Sequence, residues 1–208
     1  GIKSVGDSAF EGCTSLTSVT VPKSVITVGA GAFKGCSVLS SLTLGEGNKT
    51  IGANAFQDCV SLKRVTIPDS VTTIGDSAFQ GCLGMTAASL GGLETMGASL
   101  FSGCSSLTDL TLREGLSTIT TGCFQNCVSL TEVTIPYTVE GVGRYAFEGC
   151  TSLEKVTVSE GVDSIDRAAF QSCFSLTSVY LPRSLTKLET AFSGCDLLEE
   201  VHYGGTAD

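Results

Sequence analysis

The chain has 208 residues, of which 42% are apolar and only 16% are charged, and its formal net charge at pH 7 is −9. Lys and Arg form no run, which argues against binding to nucleic acid or to an anionic membrane surface, since both need clustered positive charge. No apolar run reaches the ~18 residues of a membrane-spanning helix, so no direct membrane insertion is expected.

One pattern repeats along the whole chain. A phenylalanine recurs every 23 residues, with two intervals of 22, and a cysteine follows each by three positions. The phenylalanines are Phe10, Phe33, Phe56, Phe79, Phe101, Phe124, Phe147, Phe170 and Phe192. The cysteines are Cys13, Cys36, Cys59, Cys82, Cys104, Cys127, Cys150, Cys173 and Cys195. Such a period is typical of a solenoid, so we predict one domain over residues 1–208, about nine stacked coils, with these side chains in its core.

Each copy divides into three short pieces. In Leu62–Ile67 apolar and polar residues alternate, which predicts a half-buried strand. Pro68 then ends the strand, because proline has no N–H to donate to a strand ladder. A second short strand is predicted over Val71–Ile74, and Ala78–Cys82 is long enough for only one helical turn. The unit is therefore a strand, a shorter strand and a tight turn.

The residue before each repeat cysteine is glycine in six copies and Asp58, Asn126 or Ser172 in the other three. Glycine, asparagine and aspartate tolerate the left-handed backbone region. We therefore predict that this position ends the helical turn and sends the chain back to the next strand. Ser172 fits this prediction least well.

Two copies are one residue short. In the first, Ala88 replaces a large strand residue and Leu100 replaces an alanine, so we expect the two substitutions to exchange volume inside the core. The second deletion lies between Leu188 and Ala191, in the last copy. The chain starts at Gly1, partway into a copy, and we expect it to be a piece of a longer product with truncated or uncapped ends.

The motif in Ile74–Cys82, with the Thr14–Pro22 pattern that follows such a motif in another copy, resembles the BspA-like class of leucine-rich repeats over essentially the whole chain. The resemblance implies a β-rich leucine-rich-repeat solenoid with a parallel concave sheet, and with second short strands and one-turn helices in each 23-residue repeat. It also implies an adhesin or protein-binding ectodomain, extracellular or at the cell surface, as in bacteria and some protozoan parasites. Val201–Thr206 looks like the start of the closing segment of bacterial members.

Commoner leucine-rich repeats carry an asparagine ladder just after the strand. The corresponding region here has no asparagine column and holds hydroxyl residues instead, namely Ser24, Ser70, Thr138 and Ser184. The turn after the strand is therefore predicted to be satisfied by proline, hydroxyl groups and backbone.

The ten cysteines admit three interpretations: disulfides, a metal-binding thiolate column, or buried free thiols. One cysteine per coil at a fixed phase, with no paired histidine, is a poor zinc pattern. Stacked side chains also point the same way, which disfavours a disulfide. Free cysteine is among the most buried residue types, so we predict buried free thiols and no metal or cofactor. Cys123, the extra cysteine at an alanine phase, is predicted to fill the core.

The outward positions of the first strands form the predicted binding surface, the concave face. One column is mostly threonine and serine, which β-propensity and cross-strand packing explain, but it ends in Tyr180 and His202. The neighbouring column varies in charge, as a recognition surface does and as any solvated face also does. The candidate partner-binding residues are Arg64, Asp109, Glu132, Lys155, Tyr180, Glu200 and His202.

Two functions remain open. The first is binding of a protein, either a host or extracellular matrix protein or another surface protein. The second is a spacer or rod that self-associates end to end, because an uncapped end exposes core positions and strand edges. No enzyme is expected, since His202 is the only histidine and no nucleophile–base pair or paired-carboxylate motif occurs. Asn48–Thr50 is a glycosylation sequon whose use the sequence leaves open.

Overall fold

The computed structural model describes residues 1–93 and 96–204. Its regular elements are short parallel strands that wind through about nine turns of a β-solenoid, which confirms the predicted leucine-rich-repeat architecture. In chain order the strands are β1 (Ser4–Val5), β2 (Ser18–Val21), β3 (Thr27–Val28), β4 (Ser41–Leu44), β5 (Thr50–Ile51), β6 (Arg64–Ile67), β7 (Thr73–Ile74), β8 (Ala87–Leu90), β9 (Asp109–Leu112), β10 (Thr118–Ile119), β11 (Glu132–Ile135), β12 (Gly141–Val142), β13 (Lys155–Val158), β14 (Ser164–Ile165), β15 (Ser178–Leu181), β16 (Lys187–Leu188) and β17 (Glu200–Tyr203).

The four-residue strands build one side of the solenoid, called the long-strand face below. They pair in three groups, β2–β4, β6–β8–β9 and β11–β13–β15–β17. Residues one repeat apart align across paired strands: Ser18, for example, aligns with Ser41. The two-residue strands form two further sheets, β1–β3–β5–β7 and β10–β12–β14–β16. In the suggested closing segment, Gly205 and Thr206 lie outside the described residues.

The phenylalanine rings form one continuous stack through the core. Successive ring centroids lie 5.1–5.7 Å apart, and the ring planes are within 15° of parallel. The six rings from Phe56 to Phe170 are fully buried, whereas Phe192 in the last coil is half-buried. A stack that extends from one coil to the next ties the coils into one core, because a single coil leaves its rings open above and below.

Phe10 and Cys13 do not lie in the core, and that expectation is wrong for both. Phe10 is 44% exposed and Cys13 is exposed. They occupy the same phase as their buried counterparts, but no described coil lies beyond them on the N-terminal side. Burial in a solenoid comes from the neighbour and not from the residue's own coil, so the first coil lacks it.

The predicted left-handed position is confirmed in all nine copies, with φ between 59° and 75°, and Ser172 at 59° conforms with the rest. The expected one-turn helices are successive turns, and the described residues contain no helix. Successive backbone N–H groups donate alternately to an acceptor within the same turn and to one in the next coil. The Cys36 N–H donates to Phe33 O at 3.2 Å, and the Phe33 N–H donates to Ala55 O at 2.8 Å. This alternation leaves no uninterrupted run of helical bonds.

A second left-handed position lies two residues before the phenylalanine and was not anticipated. Its members are Ser8, Gly31, Asn54, Ser77, Ser99, Gly122, Tyr145 and Ala168. Side chains other than glycine pay a steric cost in this region. The bonds between coils hold them there: the Asn54 N–H, for instance, donates to Asp76 O at 2.9 Å.

Hydroxyl groups satisfy the turn after the long strand, as predicted. The Gly47 N–H donates to Ser70 Oγ at 2.9 Å, and the Gly161 N–H donates to Ser184 Oγ at 2.9 Å. Thr138 accepts from the Gly115 N–H at 3.2 Å in the same way. In the shortened copy, Ala88 and Leu100 are both buried, and β8 pairs with both β6 and β9.

Candidate binding face

Side chains on the long-strand face alternate between core and solvent. In β6, Arg64 and Thr66 are exposed, whereas Val65 and Ile67 are buried. Parallel register places equivalent outward residues side by side, so they form columns across the face. All seven candidate partner-binding residues lie on the outward side. Exposed are Arg64, Asp109, Glu132, Glu200 and His202, and half-buried are Lys155 and Tyr180.

Four of these residues form one cluster at the C-terminal end of the face. Tyr180 and His202 are aligned partners on β15 and β17, and their rings stack with centroids 4.5 Å apart and planes 8° from parallel. The Lys155 ammonium lies 5.1 Å from the Tyr180 ring centroid, within cation–π range. Glu200 Oε2 is 3.1 Å from His202 Nε2. The cluster therefore presents two rings, one cation and one carboxylate in contact with each other.

The other three candidates do not join this cluster. Glu132 aligns with Lys155 on the neighbouring strand, which places opposite charges side by side. Arg64 and Asp109 stand on either side of Ala87, the middle residue of a three-strand row. The charged candidates therefore extend from β6 to β17, but the contacts between candidate side chains concentrate at the C-terminal end of the face.

A groove of about 290 Å³ crosses the face between β9 and β11. These two strands do not pair, so the backbone groups of their facing edges do not bond to each other. Leu110 and Thr111 line one side, and Glu132 and Thr134 line the other. Sequence reasoning missed this groove.

The sequence does carry a signal at the groove. β4 and β6 also fail to pair, and β4, like β9, has leucine at its first inward position, Leu42 or Leu110, where the other long strands have valine or alanine. Both leucines are half-buried. Each of the two breaks in strand pairing therefore follows a strand that has leucine, a γ-branched side chain, at its first inward position.

The ten cysteines are free thiols. From Cys36 onward, each repeat thiol donates to the carbonyl oxygen of the phenylalanine in the preceding coil, with Sγ···O distances of 3.1–3.4 Å. Burial raises the pKa of Cys59, Cys104, Cys123 and Cys150 to about 12. Nucleophilic and metal-binding chemistry both use the thiolate, so these groups are chemically inert at neutral pH.

Cys123 is fully buried at the alanine phase, where its thiol lies 3.8 Å from Met96 Sδ. Within residues 1–93 and 96–204, no group of three or more His, Cys, Asp or Glu side chains is arranged to hold a metal ion. The same part of the chain contains no helix long and apolar enough to cross a membrane.

Asn48 is the only asparagine or aspartate at its phase and is fully buried. Its Oδ1 accepts from the Gly45 N–H at 2.8 Å, and its Nδ2 donates to Pro22 O at 3.1 Å and to Val25 O at 2.5 Å. Because both amide hydrogens are used inside the core, a glycan on this nitrogen is incompatible with the folded chain. The sequon is a structural asparagine.

Replacing Asn48 with alanine should lower the free energy of unfolding by ~1–3 kcal/mol, because buried backbone groups lose their partners. Asn48→Asp is the isosteric comparison: it puts a carboxylate oxygen opposite two carbonyl oxygens, and we expect it to be the less stable of the two at pH 7. Urea unfolding of both variants beside the parent chain measures this. If Asn48→Asp unfolds at the parent's urea concentration, Asn48 does not donate to the two carbonyls.

Known proteins support the fold and the family. A family model for the BspA type leucine rich repeat region matches residues 3–128 and 94–207 with six copies. Among solved structures, a leucine-rich repeat protein from Bacteroides ovatus is similar at 28% identity, with a TM-score of 0.60 over 97% of this chain and 64% of that protein. A leucine-rich repeat protein from T. pallidum is also 28% identical, with a TM-score of 0.60 over 84% of this chain and 72% of the other.

A leucine-rich repeat protein from Eubacterium ventriosum shares the fold at 22% identity, with a TM-score of 0.51 over 97% of this chain and 70% of the other. No curated protein matches the chain. The chain spans less than two thirds of the B. ovatus protein. Because the family model covers nearly all of it, from residue 3 to residue 207, the chain belongs to the BspA-type leucine-rich repeat family.

Proposed function

We propose that this chain is a non-enzymatic protein-binding module that contacts its partner through the long-strand face. The cluster of Lys155, Tyr180, Glu200 and His202 carries the proposal, because it is an assembled group of aromatic and charged side chains on the outward side of the sheet β11–β13–β15–β17. Tyrosine is a common anchor of protein interfaces. The partner is a host or extracellular matrix protein, or another surface protein.

The packing of the cluster favours binding. Tyr180 is half-buried and lies between the ammonium of Lys155 and the ring of His202. Side chains that neighbours hold in place lose less conformational entropy when a partner arrives. The groove between the unpaired strands β9 and β11, about 290 Å³ in volume, adds a concave feature beside Glu132. A partner that covers both features spans the C-terminal half of the face.

We place this binding outside the cell or at the cell surface. The support is the resemblance to BspA-like proteins, which act as adhesins and binding ectodomains. The chain's own composition adds that a net charge of −9 disfavours acidic partners through general repulsion.

The test reverses three charges on the face together, Arg64→Glu, Glu132→Lys and Lys155→Glu. The parent chain is first used to capture a partner from extracellular matrix and host-cell surface extracts, and the dissociation constant of each variant is then measured. We expect at least a tenfold weaker affinity for two reasons. Charged side chains of the partner then meet like charges on this face, and the cation–π contact of Lys155 with the Tyr180 ring is lost.

A matched control carries Lys49→Glu, Glu140→Lys and Arg144→Glu. These three residues are exposed, lie outside the long strands, and change the net charge by the same amount. The control variant should bind like the parent. Equal affinity of parent and face variant for every captured partner would remove the long-strand face as the binding site.

A further inference from the structure

A surface depression of about 330 Å³ lies among the turns of three successive coils. Its lining residues follow Phe124, Phe147 and Phe170 along the chain, and none of them belongs to a long strand. The coils that carry Phe101 and Phe192 stack on either side of these three. The depression is therefore part of the continuous stack, and its lining is separate from the candidate binding face.

Glu148 is the only charged residue in the lining of the depression. Its two carboxylate oxygens accept hydrogen bonds from neutral amides: Gln125 Nε2 donates to Oε2 at 2.6 Å, and Gln171 Nε2 donates to Oε1 at 3.4 Å. No lysine or arginine among the described residues forms an ion pair with it. A carboxylate has about four acceptor sites, so Glu148 is held in position while its charge and part of its acceptor capacity stay available to a ligand.

Phe174 brings an aromatic ring to the same depression. It stands directly after a repeat cysteine, and no other copy has an aromatic residue at that phase. The side chain is 50% exposed, so the ring is open to a ligand. The face of an aromatic ring attracts cations through its quadrupole.

The carboxylate and the ring attract the same ligand chemistry, which is a cation. Of the two common protein cations, a guanidinium fits this pair better than an ammonium. Its planar fork donates two parallel N–H groups to a carboxylate, and the same plane stacks on an aromatic ring. The ammonium of lysine is a compact point charge that is more strongly hydrated.

We propose that this depression binds an arginine side chain of a partner protein. The guanidinium donates to the Glu148 carboxylate and lies against the Phe174 ring, and Gln125 and Gln171 are positioning residues that hold the carboxylate. The net charge of −9 adds a general attraction for basic segments. The site is a second contact surface, in addition to the long-strand face.

Titration with a blocked glycine–arginine–glycine tripeptide, followed by NMR of the backbone amides of Gly149, Thr151 and Ser172, tests the site. We expect saturable shifts with a dissociation constant on the order of 1–10 mM, because one charge-assisted pair and one ring contact carry the binding. The same tripeptide with citrulline, which keeps the shape of arginine without its charge, should bind at least about tenfold more weakly. A lysine tripeptide should bind more weakly than the arginine one, because it lacks the planar fork.

Two variants use residues that the chain itself carries at the same phases, so both should fold. Glu148→Gln copies Gln80, which pairs with Gln57 at 3.0 Å, and should weaken the arginine tripeptide by at least about tenfold. Phe174→Leu copies Leu83, which is also 50% exposed, and should weaken it by about threefold or more. The control Glu140→Gln removes one charge from an exposed residue outside the depression and should bind like the parent.

An arginine tripeptide that shifts none of the three amides overturns the proposal. Equal affinity for the citrulline tripeptide also overturns it, because the depression then takes neutral hydrogen-bonding groups. Equal affinity for the lysine tripeptide overturns the choice of a guanidinium, and unchanged binding in Glu148→Gln removes the carboxylate as its partner. The long-strand face is the same in all these variants, so failure here leaves the proposed function standing.

Discussion

Replacement of Phe124 by alanine should lower the free energy of unfolding by ~3–5 kcal/mol, the range for a buried phenylalanine. Phe124 is fully buried, and its ring lies 5.7 Å from Phe101 and 5.1 Å from Phe147. The backbone bonds between coils fix the spacing on both sides: the Phe124 N–H, for example, donates to Ala146 O at 2.7 Å. The neighbouring rings therefore cannot close on the vacated space, and a cavity remains.

Thermal and urea unfolding measure this loss, and the melting temperature should fall by roughly 10 °C for a chain of this size. Phe10→Ala is the matched control, because Phe10 makes the same stack on one side only and is 44% exposed. It should lose less than half as much stability. Equal losses in the two variants would contradict a core built by neighbouring coils.

The period of the sequence predicts the fold because each coil repeats the same local pattern of apolar, polar and turn-forming residues. The alternation in Leu62–Ile67 predicts β6, and Pro68 predicts where it ends, since both effects act within a few residues. The left-handed position before each cysteine follows from glycine, asparagine and aspartate in eight of its nine members. At Ser172 the neighbouring coil imposes the conformation: the Ser172 N–H donates to Ser193 O at 2.9 Å.

Burial, backbone conformation and hydrogen bonds that depend on an adjacent coil could not be predicted from the sequence. Phe10 has the phase of a core residue, but no coil among the described residues covers its outer side. Tyr145 and Ala168 adopt left-handed conformations that their own side chains disfavour. Asn48 resembles a glycosylation site locally, but its amide bonds to carbonyls of the preceding coil, 26 and 23 residues earlier. In each case the deciding contact lies in another repeat.

The candidate binding face also combines features that local sequence patterns predict with features that they do not. Alternation along the strands predicts that Arg64, Glu132 and Lys155 point outward, and the common phase of Tyr180 and His202 places them side by side. The contact of Lys155 with the Tyr180 ring is diagonal, because Lys155 aligns with Ser178. A column analysis does not show such diagonal contacts. The groove between β9 and β11 depends on a failure of strand pairing, which alternation alone does not predict, although Leu110 at the first inward position of β9 marks the place.

Alkaline pH should unfold the chain between about pH 9 and pH 12. Burial raises the pKa of Cys59, Cys104, Cys123 and Cys150 from 9.0 to about 12. A thiol whose pKa is raised by folding binds its proton more tightly in the folded state, so the folded chain keeps protons that the unfolded chain releases. The resulting stability is fully present below pH 9 and is lost as the pH rises towards 12.

The four thiols together should lower the free energy of unfolding by up to roughly 5 kcal/mol per pH unit, which is comparable to the whole stability of many domains. Urea unfolding at half-unit steps from pH 8 to pH 11, under reducing conditions, measures the slope. Cys123→Ala is the matched variant, because alanine is the usual residue at that phase, as at Ala78 and Ala146. It should reduce the slope by about one proton, in addition to the loss of stability at pH 8 that follows from removing a buried sulfur atom. A slope that is the same in both chains would show that Cys123 is protonated alike in the folded and unfolded states, which contradicts the raised pKa of its thiol.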